Sequence, residues 1–322
     1  MRVVSSSAAR VVALAALLAA GLVVAGCAAQ PTPAGPQNVH HVVAKPALAA
    51  PVHITVVPDL SYGIASGVAL RLDICMPTTG AHAAASSRPA IVAIHGGSWM
   101  TGDKSEAAWR GICEWLASSG YVVASLDYRL APTYHYPDEI NDVESAVEWL
   151  RAPIQAKRFD IDPTLIGAFG GSAGGNLAAL LGTAGRGPLD RGHRVAAVAE
   201  LSGPADLTVN GAEAPLIKDH VLSYLGCTTF ASCPQAVQAS PADNVDSSDP
   251  PFFIGHSQNE LIPLSQSLNF VTRLKAAHVR VTFVTMPGTL HSIAMLTPAL
   301  RTRIVDFFRS TLAHPAATTT NS

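Results

Sequence analysis

The chain has 322 residues, 48% of them hydrophobic and 14% charged, with a formal net charge of −2. That length accommodates one large α/β domain or two small ones, and the apolar content excludes a disordered chain. The near-neutral balance gives no electrostatic case for nucleic acid as a partner, and beyond the N-terminus no apolar run reaches the roughly twenty residues that span a bilayer.

The chain opens with Arg2 and Arg10 flanking an unbroken run of apolar and small residues at 11–24, the layout of an export signal. The run ends in Val24-Ala25-Gly26-Cys27, which resembles a bacterial lipobox. The resemblance implies that residues 1–26 are removed and that Cys27 becomes the first residue, carrying diacylglycerol. Two acyl chains suffice for stable anchoring. The expected location is therefore the outer face of the bacterial cell membrane, or the medium where the cysteine is not lipidated. Residues 27–51, rich in Ala, Pro and Gln without periodicity, read as a tether. The pair His40-His41 has no further ligands near it in sequence and is not read as a metal site. Export places Cys75, Cys113, Cys227 and Cys233 where bridges form, with three pairings open. Cys227 and Cys233, close together in a loop-like stretch, are the favoured pair; Cys75 and Cys113 are either bridged or buried thiols.

A catalytic domain is expected over 52–314, followed by a frayed tail at 315–322. Strands are predicted at 52–57, 69–75 and 90–94. The third runs into His95-Gly96-Gly97-Ser98-Trp99. A helix over 106–119 and a strand over 121–127 follow, then the turn Asp127-Tyr128-Arg129-Leu130-Ala131-Pro132. Residues 137–150 form a helix with Ile140, Val143, Val147 and Leu150 on one face. Its carboxylates Asp138, Glu139, Asp142 and Glu144 read as solvated surface near a helix start. Next comes Leu165-Ile166-Gly167-Ala168-Phe169-Gly170-Gly171-Ser172-Ala173-Gly174-Gly175-Asn176-Leu177, a short strand, a turn of small residues and an Ala/Leu-rich helix. A strand over 195–201 precedes an irregular insertion at about 207–250, expected to lie over the carboxyl edge of the sheet. Strands at 251–256 and 280–286 and helices at 265–278 and 298–314 close the domain. Strands alternating with helices argue for a mostly parallel, eight-stranded sheet covered on both faces, with ligands at the carboxyl ends of its strands.

Gly170-Gly171-Ser172-Ala173-Gly174 is a G-x-S-x-G, which carries chemistry where a sharp strand-to-helix turn lifts the serine hydroxyl onto a helix N-terminus. Glycines flank it because strand and helix pass too close for a Cβ. Together with the His95–Trp99 turn and the Asp127–Pro132 segment, in that order, it resembles an α/β-hydrolase. More narrowly, it is similar to the carboxylesterases of the hormone-sensitive-lipase-like and feruloyl-esterase-like branches. The likeness spans residues 52–314.

That resemblance implies a triad in the order serine, acid, histidine. Ser172 is the nucleophile, and His291, in a loop after the last strand, is the base; His256 and His278 are weaker candidates. The acid falls in Gln258-Asn259-Glu260. Counting forward from the preceding strand selects Glu260, and counting back from Ile262-Pro263 selects Asn259. A carboxylate also stabilises the imidazolium, so Glu260 is the choice, with Asp243 and Asp246 as fallback. The oxyanion hole is assigned to backbone N–H groups of Gly96, Gly97 and Ala173. Relatives often carry a third glycine where this chain has Ser98, and an aspartate where it has Gly171. Trp99 either lines the pocket or packs, and Asp127 and Arg129 brace loops.

The expected function is a serine carboxylesterase acting on small or short-chain acyl esters. An amide hydrolase of the arylformamidase or peptidase type, or an acyltransferase, would use the same triad. A binding scaffold on an inactive hydrolase fold is disfavoured by Ser172, His291 and both glycines. No metal or organic cofactor is implied. The expected partners are a small-molecule ester and, through the anchor, the membrane; the oligomeric state stays open.

Overall fold

A computed structural model describes residues 52–78, 87–212 and 215–314. The export signal, Cys27, the tether and the tail beyond His314 lie outside the described residues. The rest forms one sheet of eight strands in the order β1-β2-β4-β3-β5-β6-β7-β8. The strands are β1 (Ile54–Ala65), β2 (Val68–Pro77), β3 (Arg88–Ile94), β4 (Val122–Leu126), β5 (Ile161–Gly171), β6 (Ala197–Leu201), β7 (Phe252–Ser257) and β8 (Val281–Met286). β2 runs antiparallel to both β1 and β4, and every other pairing is parallel. The sheet is therefore mixed, with an antiparallel hairpin at one edge of a parallel body.

The sequence accounts for that division. β4, β6 and β7 are buried at every position, as continuous apolar strands covered on both faces must be. β1 instead mixes exposed and half-buried residues, suiting an edge. Successive side chains point to opposite faces, so Ala90, Val92 and Ile94 enter one core layer while Ile91 and Ala93 enter the other. Helices α1 (Ala107–Ser118) and α9 (Pro298–Thr311) cover the second face. α2 (Asp138–Arg151), α3 (Pro153–Phe159), α4 (Ala173–Thr183) and α8 (Leu264–Ala276) cover the first. α3 is absent from the sequence reading because seven residues are too few to display a period. Between β6 and β7 the insertion folds into α5 (Val209–Ala212), α6 (Pro215–Leu225) and α7 (Gln235–Gln238), with short 3-10 turns at Phe230–Ser232 and Pro241–Asp243.

The carboxylates of α2 correct the expectation of a solvated surface. Glu139 and Asp142 are buried. Asp142 takes the Arg129 guanidinium, with Nε 2.8 Å and Nη2 2.8 Å away, and accepts the Arg129 N–H at 2.9 Å. This pair fixes the segment after β4, something helical periodicity cannot register. Burial pushes the Glu139 carboxyl up to about 8.

All four cysteines of the described residues are bridged. Cys75 joins Cys113, tying β2 to α1, and Cys227 joins Cys233 just after α6. The second is the favoured pair; the first resolves an alternative the spacing left open.

The chain reverses its winding direction at β3, whose neighbours are β4 and β5. Open α/β sheets leave a crevice at such a switch point, at the carboxyl ends of the strands. Ile94 pairs with Gly170 there, so the turn after β3 and the turn after β5 are side by side.

Candidate active site

β5 ends in Gly171 and α4 begins at Ala173, leaving Ser172 alone to turn the chain. Its backbone sits at φ 58°, ψ −124°, a sparsely populated region for a residue with a side chain. The close approach that this demands is visible at the flanking glycines. A Cβ on Gly170 would lie 2.0 Å from the Gly174 carbonyl oxygen, and one on Gly174 would lie 2.1 Å from that of Ile94.

His291 reaches this serine from the loop after β8. His291 Nε2 is 2.8 Å from Ser172 Oγ, and His291 Nδ1 donates to Glu260 Oε2 in a short hydrogen bond. With Nδ1 protonated, Nε2 carries the lone pair and faces the serine hydroxyl as an acceptor. The Glu260 side chain is wholly buried. Its other oxygen, Oε1, accepts from Ser202 Oγ at 2.6 Å and from the Ser257 N–H at 3.2 Å. His256 lies behind the acid loop: Nε2 donates to Ile262 O at 2.9 Å, and Nδ1 accepts from Ser267 Oγ at 2.7 Å. Burial lowers its proton affinity, so it acts as a neutral strut for the loop.

The remaining candidates are placed elsewhere. Asn259 and His278 are exposed. Asp243 pairs with Arg273 at 3.0 Å, and Asp246 with Arg186 at 3.2 Å. Asp127 accepts the Lys104 N–H at 2.7 Å. The Lys104 ammonium also meets Asp59 at 2.8 Å and Asp73 at 3.2 Å, which ties the turn after β3 to the hairpin edge.

Gly96 and Gly97 lie on this turn against the elbow. Gly97 adopts φ 120°, and its carbonyl accepts from Met100 and Thr101 N–H, each at 3.0 Å. Ala173 is the first residue of α4, where an amide has no partner within the helix. These backbone groups flank Ser172 at the positive end of a helix dipole.

Two hollows meet at Ser172. The smaller, about 50 Å³, is walled by Trp99, Pro204, Ile217, Val221, Leu261 and Ile262. Trp99 both lines this cavity and packs, since it also stacks on Tyr224 of α6 with centroids 4.4 Å apart. The larger is an open cleft of about 350 Å³ that includes Gly96, Gly97, Thr101, Glu106, Trp109 and His291. Leu261 borders both. Sequence reasoning missed Ser202 and Glu200, both buried at the end of β6. Glu200 accepts the Gly203 N–H at 2.7 Å, and burial pushes its carboxyl up to about 8. A carboxyl inside an otherwise apolar strand was the available signal.

Comparison with known proteins gives a consistent answer. A family model described as BD-FAE matches residues 72–274. LipM of Mycobacterium tuberculosis, described as a probable carboxylic ester hydrolase, is 30% identical over 74% of this chain and 56% of its own. The chain spans about half the length of the curated relatives it matches. A thermophilic esterase of the Planctomycetes species Thermogutta terrifontis superposes with a TM-score of 0.64 at 25% identity, covering 84% of this chain and 95% of that one. An acetyl ester-xyloside bifunctional hydrolase from Caldicellulosiruptor lactoaceticus does so at 0.63 and 25%, covering 76% and 88%. The matched family region takes in the glycine turn, the elbow and the loop that carries Glu260, and with these on an α/β-hydrolase sheet the chain belongs to the BD-FAE family.

Proposed function

We propose that this protein is a serine carboxylesterase that cleaves short acyl groups from a larger alcohol through an acyl-enzyme. The observation that carries the reading is the hydrogen-bonded path Glu260–His291–Ser172 ending where a small apolar cavity opens into a wide cleft. A serine hydroxyl is a poor nucleophile at neutral pH and needs a base within hydrogen-bond reach. Ser172 Oγ attacks the ester carbonyl as its proton passes to His291 Nε2. The N–H groups of Ala173, Gly97 and Gly96 receive the negative charge that develops on the carbonyl oxygen. The alcohol then leaves with the proton from His291, and water, deprotonated by the same nitrogen, releases the acid. Glu260 holds the imidazole tautomer and stabilises the imidazolium.

The two hollows support a division of the substrate. The cavity of about 50 Å³ is apolar-walled and the smaller of the two, which supports a short acyl group there. The cleft of about 350 Å³ suits the alcohol, and Thr101 and Glu106 line it with hydroxyl and carboxylate. The acetyl ester-xyloside hydrolase among the solved structures supports an acetylated sugar as the ester class. Two disulfides support export, and with the lipobox-like Val24–Cys27 they support a lipid-anchored protein on the outer face of the membrane. Growth on labelled fatty acid tests this: the wild type is expected to carry label and Cys27→Ala to lose it, and an unlabelled wild type would overturn it.

The substrate reading is tested with p-nitrophenyl esters of increasing chain length on the full-length protein. The expected profile is highest for acetate or propionate and falls steeply beyond butyrate. A maximum at octanoate or longer would contradict the short-acyl assignment.

A further inference from the structure

Ser202, at the end of β6, touches both Glu260 and the loop that carries His291. It is wholly buried. Its Oγ–H donates to Glu260 Oε1 at 2.6 Å, and the same oxygen accepts the Ser292 N–H at 2.9 Å. Ser292 directly follows His291, so one hydroxyl joins the acid to the loop that carries the base. The backbone beside it completes the set. Ser172 N–H donates to Leu201 O, and Ser202 N–H to Gly255 O, both at 2.9 Å. Ser202 and Ser292 both adopt positive φ, 56° and 57°, a strain that persists only where surrounding contacts over-determine it.

We propose that Ser202 is a positioning residue for the acid and base of this site, an inference that rests on the triad reading above. A carboxylate is held in one orientation only when both oxygens are engaged. Oε2 takes His291 Nδ1–H, so the orientation depends on what engages Oε1. The Ser257 N–H is more distant, at 3.2 Å. His256 Nε2 is 3.1 Å away, but it directs its hydrogen to Ile262 O at 2.9 Å. The Ser202 hydroxyl is thus the close donor. A serine hydroxyl has one hydrogen and two lone pairs. Here the hydrogen is committed to the acid and a lone pair to the amide following the base, so Ser202 sets the distance between the two loops. Its burial and its committed proton exclude a role as a second nucleophile.

Removing the hydroxyl strips Glu260 of its closest donor and leaves a buried Ser292 N–H without a partner. The carboxyl is then free to turn away from His291 Nδ1, and the imidazole loses the partner that orients it. The charged and titratable groups facing Glu260 are His291, His256 from β7 and Glu200 from β6, and all three remain in the variants.

The test uses Ser202→Gly, which tolerates the positive φ, and Ser202→Ala, in the full-length protein. Active sites are counted by fluorophosphonate titration of Ser172, so that misfolded molecules drop out. Turnover of p-nitrophenyl acetate per titrated site is expected to fall about 10- to 100-fold in both variants, the size of one hydrogen bond to a charged group, with KM within about twofold. The loss is expected in kcat rather than in KM, since Ser202 lines neither hollow at Ser172. Turnover per site within about twofold of wild type, or a loss that appears in KM with kcat kept, would overturn the proposal and leave Ser202 a packing residue. A wild type without Ser172-dependent turnover would remove the triad reading first and this inference with it.

Discussion

Both oxygens of the Glu260 carboxyl are engaged as acceptors, which an amide isostere cannot reproduce. Glu260→Gln keeps the shape of the side chain but removes the charge that favours the imidazolium and admits the wrong histidine tautomer. Turnover is expected to drop by roughly a thousandfold or more, while Asn259→Ala, exposed beside it, is expected to stay within about twofold of wild type. Steady-state kinetics on one ester checks both, and the reverse order would transfer the acid role to Asn259. Both departures from the family pattern have local causes. A Cβ on Gly171 would lie 2.2 Å from Ser292 Oγ, so the space an aspartate would use is taken by the residue after His291. Ser98 and Trp99 accept φ of 56° and 59° where a glycine would be at ease; Trp99 is held by its stack on Tyr224 and by the Ala131 N–H donating to its carbonyl at 2.9 Å. The residues that the structure brings together at Ser172 were legible because each follows a strand end, and strand ends show in the hydrophobic pattern. Ser202 was not. Its role depends on where β6 lies between β5 and β7, and no local spacing encodes that order.

α6 forms one wall of the small cavity through Ile217 and Val221, and contacts from neighbouring loops hold it there. Trp99 and Tyr136 both meet Tyr224, and His135 Nδ1 donates to Ser223 O at 2.8 Å. The Cys227–Cys233 bridge closes the turn that follows. The wall is therefore fixed, and its side chains set the depth. Ile217→Ala is expected to raise the ratio of kcat/KM for p-nitrophenyl hexanoate over acetate about tenfold, the discrimination available from one or two methylenes. An unchanged ratio would place the acyl group elsewhere. Sequence alone located this insertion by the loss of strand–helix rhythm, yet could not resolve it. α5 and α7 have four residues each, shorter than any window in which periodicity can be counted. α2 shows the complementary failure. Its apolar face was legible, but its buried Asp142 is explained by Arg129, which arrives from a different element.

At the scale of the whole molecule, the parallel body supplies the crevice and the antiparallel hairpin is secured to it by covalent and ionic ties. The Cys75–Cys113 bridge encloses a separation of 38 residues. Replacing both cysteines by alanine is expected to lower unfolding free energy by about 2–4 kcal/mol, measured by urea denaturation, and a change below about 0.5 kcal/mol would contradict that role. Glu200 introduces a pH dependence into the same balance. Burial pushes it up to about 8, whereas an unfolded glutamate titrates near about 4.3. Between those values the folded state keeps a proton that the unfolded chain has lost, so its contribution to stability declines as pH rises, by up to about 1.4 kcal/mol per pH unit. Glu200→Gln removes that slope, and its stability relative to wild type is expected to improve from pH 5 to pH 8. A difference independent of pH would show that Glu200 is ionised in the fold.

The most direct test of the account is the reaction of Ser172 itself. Full-length wild type, Ser172→Ala and His291→Ala are treated with a fluorophosphonate, and p-nitrophenyl acetate hydrolysis is followed in parallel. The account predicts stoichiometric labelling and turnover in the wild type, neither in Ser172→Ala, and a loss of several orders of magnitude in His291→Ala. Turnover that survives Ser172→Ala, or a folded wild type that is neither labelled nor active, would contradict it.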